Sequence, residues 1–361
     1  MRRLANWSVL LALGCVAAGW QVAAPGWKYQ FPRDHHQHPD FKTEWWYFTG
    51  NLTNDHGRRF GYELTFFREG IRPPNERAET TSRFIVDDLK FAHFTVTDAA
   101  GKQFLFYDKA SRGSFAEAGF DKGERLAWID SWTLNMKPDG SLDLAANAEH
   151  AAIAFHLVAQ KPPVIHGVNG ISPKAEGVGH ASHYYSLTRL TTSGSLQVRA
   201  EKFVVSGESW FDHEWATNQL APGQAGWNWV SVQFADKAEL MLYQMRLTNG
   251  IIDPISSGTF VRADGRSIAL TSADFEMTPT SFWKSPQTKA NYPIAWRVRV
   301  PKEQLEFTVE PVLSNQELVL GPLIYWEGAF DVNGTRAGQP IDGHGYLELT
   351  GYAAPLQGLN R

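Results

Sequence analysis

The residues best equipped for chemistry fall into two clusters. The first holds Asp34, His35, His36, His38 and Glu44 in one short stretch. Carboxylates beside imidazoles offer general acid–base groups or nitrogen and oxygen ligands for a cation. The second is Asp212-His213-Glu214-Trp215. Side chains alternate along a strand, so in extended backbone His213 and Trp215 share one face while Asp212 and Glu214 share the other. Both pairs cannot line one pocket. No His-Glu-x-x-His pattern is present, and Cys15 is the only cysteine, so no metal is expected. A Gly-x-Ser-x-Gly elbow and the Rossmann and Walker loops are also missing, and no cofactor is expected.

The elements that must hold these clusters read as strands. Pro32 and Pro39 keep the first cluster out of helix, which makes it a loop. It leads into Trp45, Trp46, Tyr47 and Phe48, an aromatic run without alternation that suits a strand buried on both faces. Ionisable groups at the mouth of an aromatic wall suit a pocket for an apolar molecule. The structural alternative is that the tryptophans are core, the loop histidines are solvated and His213 bonds a backbone carbonyl. Phe60, Tyr62, Leu64 and Phe66 alternate after the turn Asn54-Asp55-His56-Gly57, which predicts a hairpin over 45–68. Alternation recurs to the end of the chain, and only 115–125 would allow one short helix, so the fold class is all-β. Residues 161–179, rich in Pro and Gly, are expected to form a long surface loop. A weak repeat relates 45–67 to 227–245 and suggests two β-barrels from duplication, with a boundary near residue 200.

With 34 basic and 38 acidic side chains the formal net charge is −4, so neither nucleic acid nor an anionic membrane surface is an expected partner. The 14 Trp, 22 Phe and 11 Tyr favour β structure and apolar ligands. Arg2 and Arg3 followed by the mostly apolar 7–16 read as an export leader over residues 1–24. Leu11-Ala12-Leu13-Gly14-Cys15 is similar to a bacterial lipobox with Ala12 where Leu is usual; ordinary cleavage after Ala18 or Gly19 is the alternative. The expected location is periplasmic or envelope-attached, with membrane contact only through a lipid on Cys15.

The run Asp34-His35 through His38-Pro39 and Thr43-Glu44-Trp45-Trp46-Tyr47-Phe48-Thr49-Gly50-Asn51-Leu52, then His183-Tyr184-Tyr185-Ser186, Trp210 to Trp215 and Gly345 to Tyr352, resembles the AttH/CrtC family from about residue 28 onward. The resemblance implies two lipocalin-like barrels, 25–200 and 201–361, and either a hydro-lyase of the carotenoid 1,2-hydratase type or a secreted hydrolase. It implies His213 and Trp215 as a catalytic pair with Tyr243 a strand later, while Gln244 and Met245 stand near the place of an expected aspartate. An isoprenoid-like ligand follows from the hydratase branch, and a non-catalytic lipid carrier is the other functional class. Alkene hydration needs a strong acid, and Glu44 in an apolar pocket would have its pKa raised and could supply the proton. The catalytic candidates are therefore Glu44, His213, Trp215 and Tyr243. The ligand-binding candidates are His38, Trp45, Trp46, Tyr47, Tyr185, Trp210, Asp212 and Trp229.

Overall fold

A computed structural model describes residues 19–77, 82, 84–121, 123–321 and 323–356. Cys15 and most of the expected leader lie outside the described residues. The chain is 60 % strand and 3 % helix, in two curled, nearly closed antiparallel sheets. Alternating apolar residues and frequent turns leave little else to form. The 115–125 segment makes no helix; its Ala118–Phe120 is a short edge strand.

The first sheet is built from strands between Thr43 and Ala216, and the second from strands between Gln224 and Thr350. The change of sheet thus falls after Ala216 and not near 200. Strand Glu201–Ala216 turns back tightly from Ala181–Val198 and pairs through residues 205–216 with Thr43–Asn54, so it joins the early and late strands of the first sheet. The second barrel repeats the plan. Thr43–Asn54 lies between its hairpin partner Arg59–Gly70 and the last strand of its sheet, and Gln224–Phe234 lies between Glu239–Leu247 and Gln339–Thr350. The weak sequence repeat thus falls on equivalent hairpins.

Each barrel has its own apolar interior, and a third cluster containing Tyr47, Tyr184, Trp210, Trp229, Tyr243 and Tyr346 lies between them. The barrels touch closely. A Cβ built on Gly61 would come within 2.8 Å of the Ala329 Cβ and 2.9 Å of the Tyr346 hydroxyl, so glycine is the residue that fits.

Residues 161–179 are not the expected surface loop. Proline and glycine do interrupt regular strand, leaving only Val164–Ile165 and Ser172–Pro173, but His166, Ser172 and Lys174 are buried. Backbone bonds from His166 to Tyr184 and from Lys174 to His180 tie the segment to the first barrel. His166 joins the barrels, with Nε2 2.6 Å from Ser186 and Nδ1 2.8 Å from Thr259. Breaker composition reports the lack of long strands, not exposure.

Candidate functional site

Strand alternation divides the chemical residues between two faces of the first sheet. From Thr43–Asn54, Trp46 and Phe48 enter the first barrel, while Trp45 and Tyr47 face the space between barrels. From Glu201–Ala216, Phe211 and Trp215 enter the barrel, and Trp210 faces the other way. His213 follows the first group and Asp212 and Glu214 the second, as their partners below show.

Inside the first barrel, Glu44 sits at the centre of a closed polar network. One carboxylate oxygen, Oε1, lies 2.7 Å from His38 Nδ1 and 2.9 Å from His213 Nε2. The other accepts the His38 backbone N–H at 2.8 Å and the Arg68 Nε–H at 3.1 Å. Burial alone would raise the Glu44 pKa. The His38 charge, the hydrogen bonds from both histidines and the Arg68 charge outweigh it and hold the carboxyl well below the usual range. Glu44 is therefore an ionised anchor, not the desolvated acid expected of an apolar pocket. His38 stacks on Trp215 with centroids 3.6 Å apart, and Trp46 stacks on His213 at 4.5 Å. The Tyr185 hydroxyl stands between His35 Nδ1, at 2.7 Å, and His213 Nδ1, at 3.2 Å. Among the described residues, His38, Glu44 and His213 are the one group whose potential metal-ligand atoms gather within 4.8 Å of one another.

On the opposite face lies a cavity of about 170 Å³ bounded by both barrels. Its walls include Trp45, Tyr47, Phe67, Trp227, Trp229 and Tyr325, and among its carboxylate and basic side chains acids outnumber Arg68, His93 and Lys174. Asp212 is pushed up to about 7 by burial, against the hydrogen bonds of Ser186, Tyr184 and Trp210. Tyr184 donates to it at 2.6 Å, the Trp210 indole donates at 2.5 Å, and Ser186 also donates. Glu348 is likewise raised to about 7 by burial, with the Trp227 indole donating at 3.0 Å and nearby Asp212 adding repulsion. Glu327 is raised well above the usual range by burial and by Glu348 and Glu63, and it accepts the Tyr47 hydroxyl. Lys174 supplies a cation. Its ammonium is 3.2 Å from Glu214 and 4.1 Å from the Tyr243 ring centroid.

Residues 22–352 match the AttH-like family model. The chain belongs to the AttH-like family. The crystal structure of an AttH protein from Nitrosomonas europaea is 34 % identical and superimposes with a TM-score of 0.81, covering 92 % of this chain and 99 % of that one. Kievitone hydratase from Nectria haematococca shares the fold at 15 % identity, with a TM-score of 0.69 over 90 % of this chain and 93 % of that one. Dehydratase asqC of Emericella nidulans is 22 % identical over 240 residues, 62 % of this chain, and the match spans 64 % of that relative's length.

In this AttH-like chain the candidates read from sequence do not form one site. Glu44, His213, Trp215, His38, Trp46 and Tyr185 belong to the barrel interior. Glu44 borders the cavity, but both its oxygens are taken by the interior network. Tyr47, Trp45, Trp210, Asp212, Trp229 and Tyr243 lie on the inter-barrel side. Tyr243 is separated from the histidines, and its hydroxyl bonds Pro173 O at 2.7 Å and Ser257 at 2.7 Å. Sequence reasoning missed Glu327 and Glu348, although each is a lone acid among apolar neighbours on a strand, which is a readable signal. Lys174 gave no such signal from its loop.

The two similar barrels give the cavity an internal symmetry. Tyr47 is paired across strands with Asp212, and at the equivalent place in the second barrel Trp229 is paired with Glu348. Each barrel thus contributes an aromatic ring and, opposite it, an acid of raised pKa to the same space, with Glu327 a further raised acid from the second barrel.

Proposed function

We propose that this AttH-like protein is a hydro-lyase, adding water to or removing it from an apolar small molecule held between the barrels. The observation that carries this reading is the pair Asp212 and Glu348, one from each barrel, both with pKa values near 7 on an aromatic-walled cavity. A group poised near neutral pH can both give and take a proton. Asp212 accepts hydrogen bonds from three side chains, which favours its charged form and the role of base; Glu348 has the Trp227 indole and is the better acid.

For hydration, Glu348 protonates one alkene carbon, the neighbouring carbon becomes cationic, and water adds to it while Asp212 takes the proton released. Dehydration is the reverse. The faces of Tyr47, Trp229 and Trp45 stabilise the passing positive charge. The names of a kievitone hydratase and a dehydratase among similar proteins agree with this class. An isoprenoid alkene or tertiary alcohol meets the chemical requirement. The basic and apolar start of the chain supports export to the periplasm or envelope, with Cys15 as a lipid attachment point.

Mass spectrometry of apolar compounds extracted from the purified protein identifies the ligand class. Incubating that compound with enzyme in ¹⁸O-labelled water should then give product or substrate carrying the label. Stoichiometric binding with no exchange of oxygen would instead establish a carrier.

A further inference from the structure

The network inside the first barrel has a property that the proposed cavity chemistry does not use. Both nitrogens of two buried imidazoles face oxygen acceptors. His38 presents Nδ1 to Glu44 at 2.7 Å and Nε2 to Asp34 Oδ1 at 3.3 Å. His213 presents Nε2 to Glu44 at 2.9 Å and Nδ1 to the Asp34 backbone oxygen at 3.0 Å. A neutral imidazole carries one N–H. With both rings neutral and donating to Asp34, the remaining nitrogens would direct lone pairs at the same Glu44 oxygen, the place a cation would take; a proton on His38, whose pKa is raised against burial by Glu44 and Asp34, fills that place otherwise.

We propose that His38 Nδ1, His213 Nε2 and Glu44 Oε1 bind a divalent transition-metal ion, of which zinc best suits a two-histidine, one-carboxylate set. The surroundings orient the ligands as metal sites require. Asp34 fixes the far side of both rings, and it is itself held by the Gln30 backbone N–H at 2.7 Å. The Arg68 Nε–H and the His38 backbone N–H hold the other Glu44 oxygen at 3.1 and 2.8 Å, and the same His38 N–H also reaches Oε1 at 3.0 Å. Trp215 and Trp46 stack on the two imidazoles and exclude water from them. Bonds of about 2.0–2.1 Å in a tetrahedron place ligand atoms about 3.3 Å apart, so the 2.7 and 2.9 Å contacts with Glu44 would widen by about half an ångström, and all three ligand atoms already lie within 4.8 Å of one another. Arg68 opposes the ion's charge and weakens binding without blocking it.

The test uses the full chain, stripped with a chelator and titrated with Zn²⁺ by calorimetry. One equivalent should bind and raise the melting temperature. His38→Gln and His213→Gln should each weaken binding at least tenfold, while replacing the exposed His56 and His156 by Gln should leave it unchanged. Co²⁺ added to the unaltered protein gives a check independent of variant folding, since a tetrahedral site yields an intense visible spectrum. No stoichiometric zinc, zinc retained by the His38→Gln, His213→Gln double variant, or no tetrahedral cobalt spectrum would overturn the assignment.

Discussion

The two faces of the Thr43–Asn54 and Glu201–Ala216 strand pair hold carboxylates in opposite states. Facing the barrel interior, Glu44 is fully buried yet held ionised, because two histidines and Arg68 surround it. On the other face, three register positions along and opposite Tyr47, Asp212 is also buried yet raised to about 7, because its partners are uncharged hydroxyls and an indole. Burial does not decide protonation here. The charge of the neighbours does, and it makes the interior an anchor and leaves the cavity acids poised near neutral pH.

The largest expected effect comes from removing the cavity acid. Glu348→Gln should keep ligand affinity within a few fold and lower turnover by about 10²–10⁴, the range for loss of a general acid. Asp212→Asn should act similarly, measured by oxygen exchange. Turnover that survives both substitutions would place the chemistry elsewhere.

Breaking the other face should act on stability. Glu44→Gln removes the charge that compensates Arg68 and the two histidines, at a cost on the order of 3–5 kcal/mol for a broken buried ion pair. The melting temperature should fall by several degrees, while turnover per folded molecule stays within a few fold.

The two faces should also differ in pH dependence. Glu348 keeps its proton in the folded chain up to about 7, whereas an unfolded glutamate loses it near the ordinary value of 4.5. The folded state binds more protons between these values, so this group's contribution to stability falls as pH rises through that window, by roughly 3 kcal/mol in all. Asp212 and the raised pKa of His38 act in the same direction. Glu44 acts oppositely. Its depressed pKa gives stability that is present above the ordinary carboxylate range and is lost as pH falls below it. Denaturation measured from pH 3 to 8 should therefore peak in mild acid, and Glu348→Gln should flatten the neutral side alone.

A smaller effect is expected at Tyr47. Its hydroxyl donates to Glu327, so Tyr47→Phe should cost about 1 kcal/mol in chemical denaturation and leave the aromatic wall intact.

Much of the fold was legible because a strand's period of two is a strong signal, and the division of His213 and Trp215 from Asp212 and Glu214 follows from it alone. The repeat of 45–67 with 227–245 likewise anticipated equivalent hairpins in two barrels. The side that carries the cavity was not legible, because it depends on how the barrels pack. Glu44 looked like a desolvated acid until Arg68, on the adjacent strand, was seen beside it. Lys174 was hidden because a loop rich in proline and glycine gives no hint that it is buried.

Infrared spectroscopy in the carbonyl stretching region measures protonated carboxyl groups directly and requires no substrate. At pH 6 the unaltered protein should show a protonated-carboxyl band that loses intensity in Glu348→Gln and in Asp212→Asn and keeps it in Glu44→Gln. A band lost on Glu44→Gln and retained in the two cavity variants would mean that the acid resides inside the first barrel, contradicting the division between the two faces.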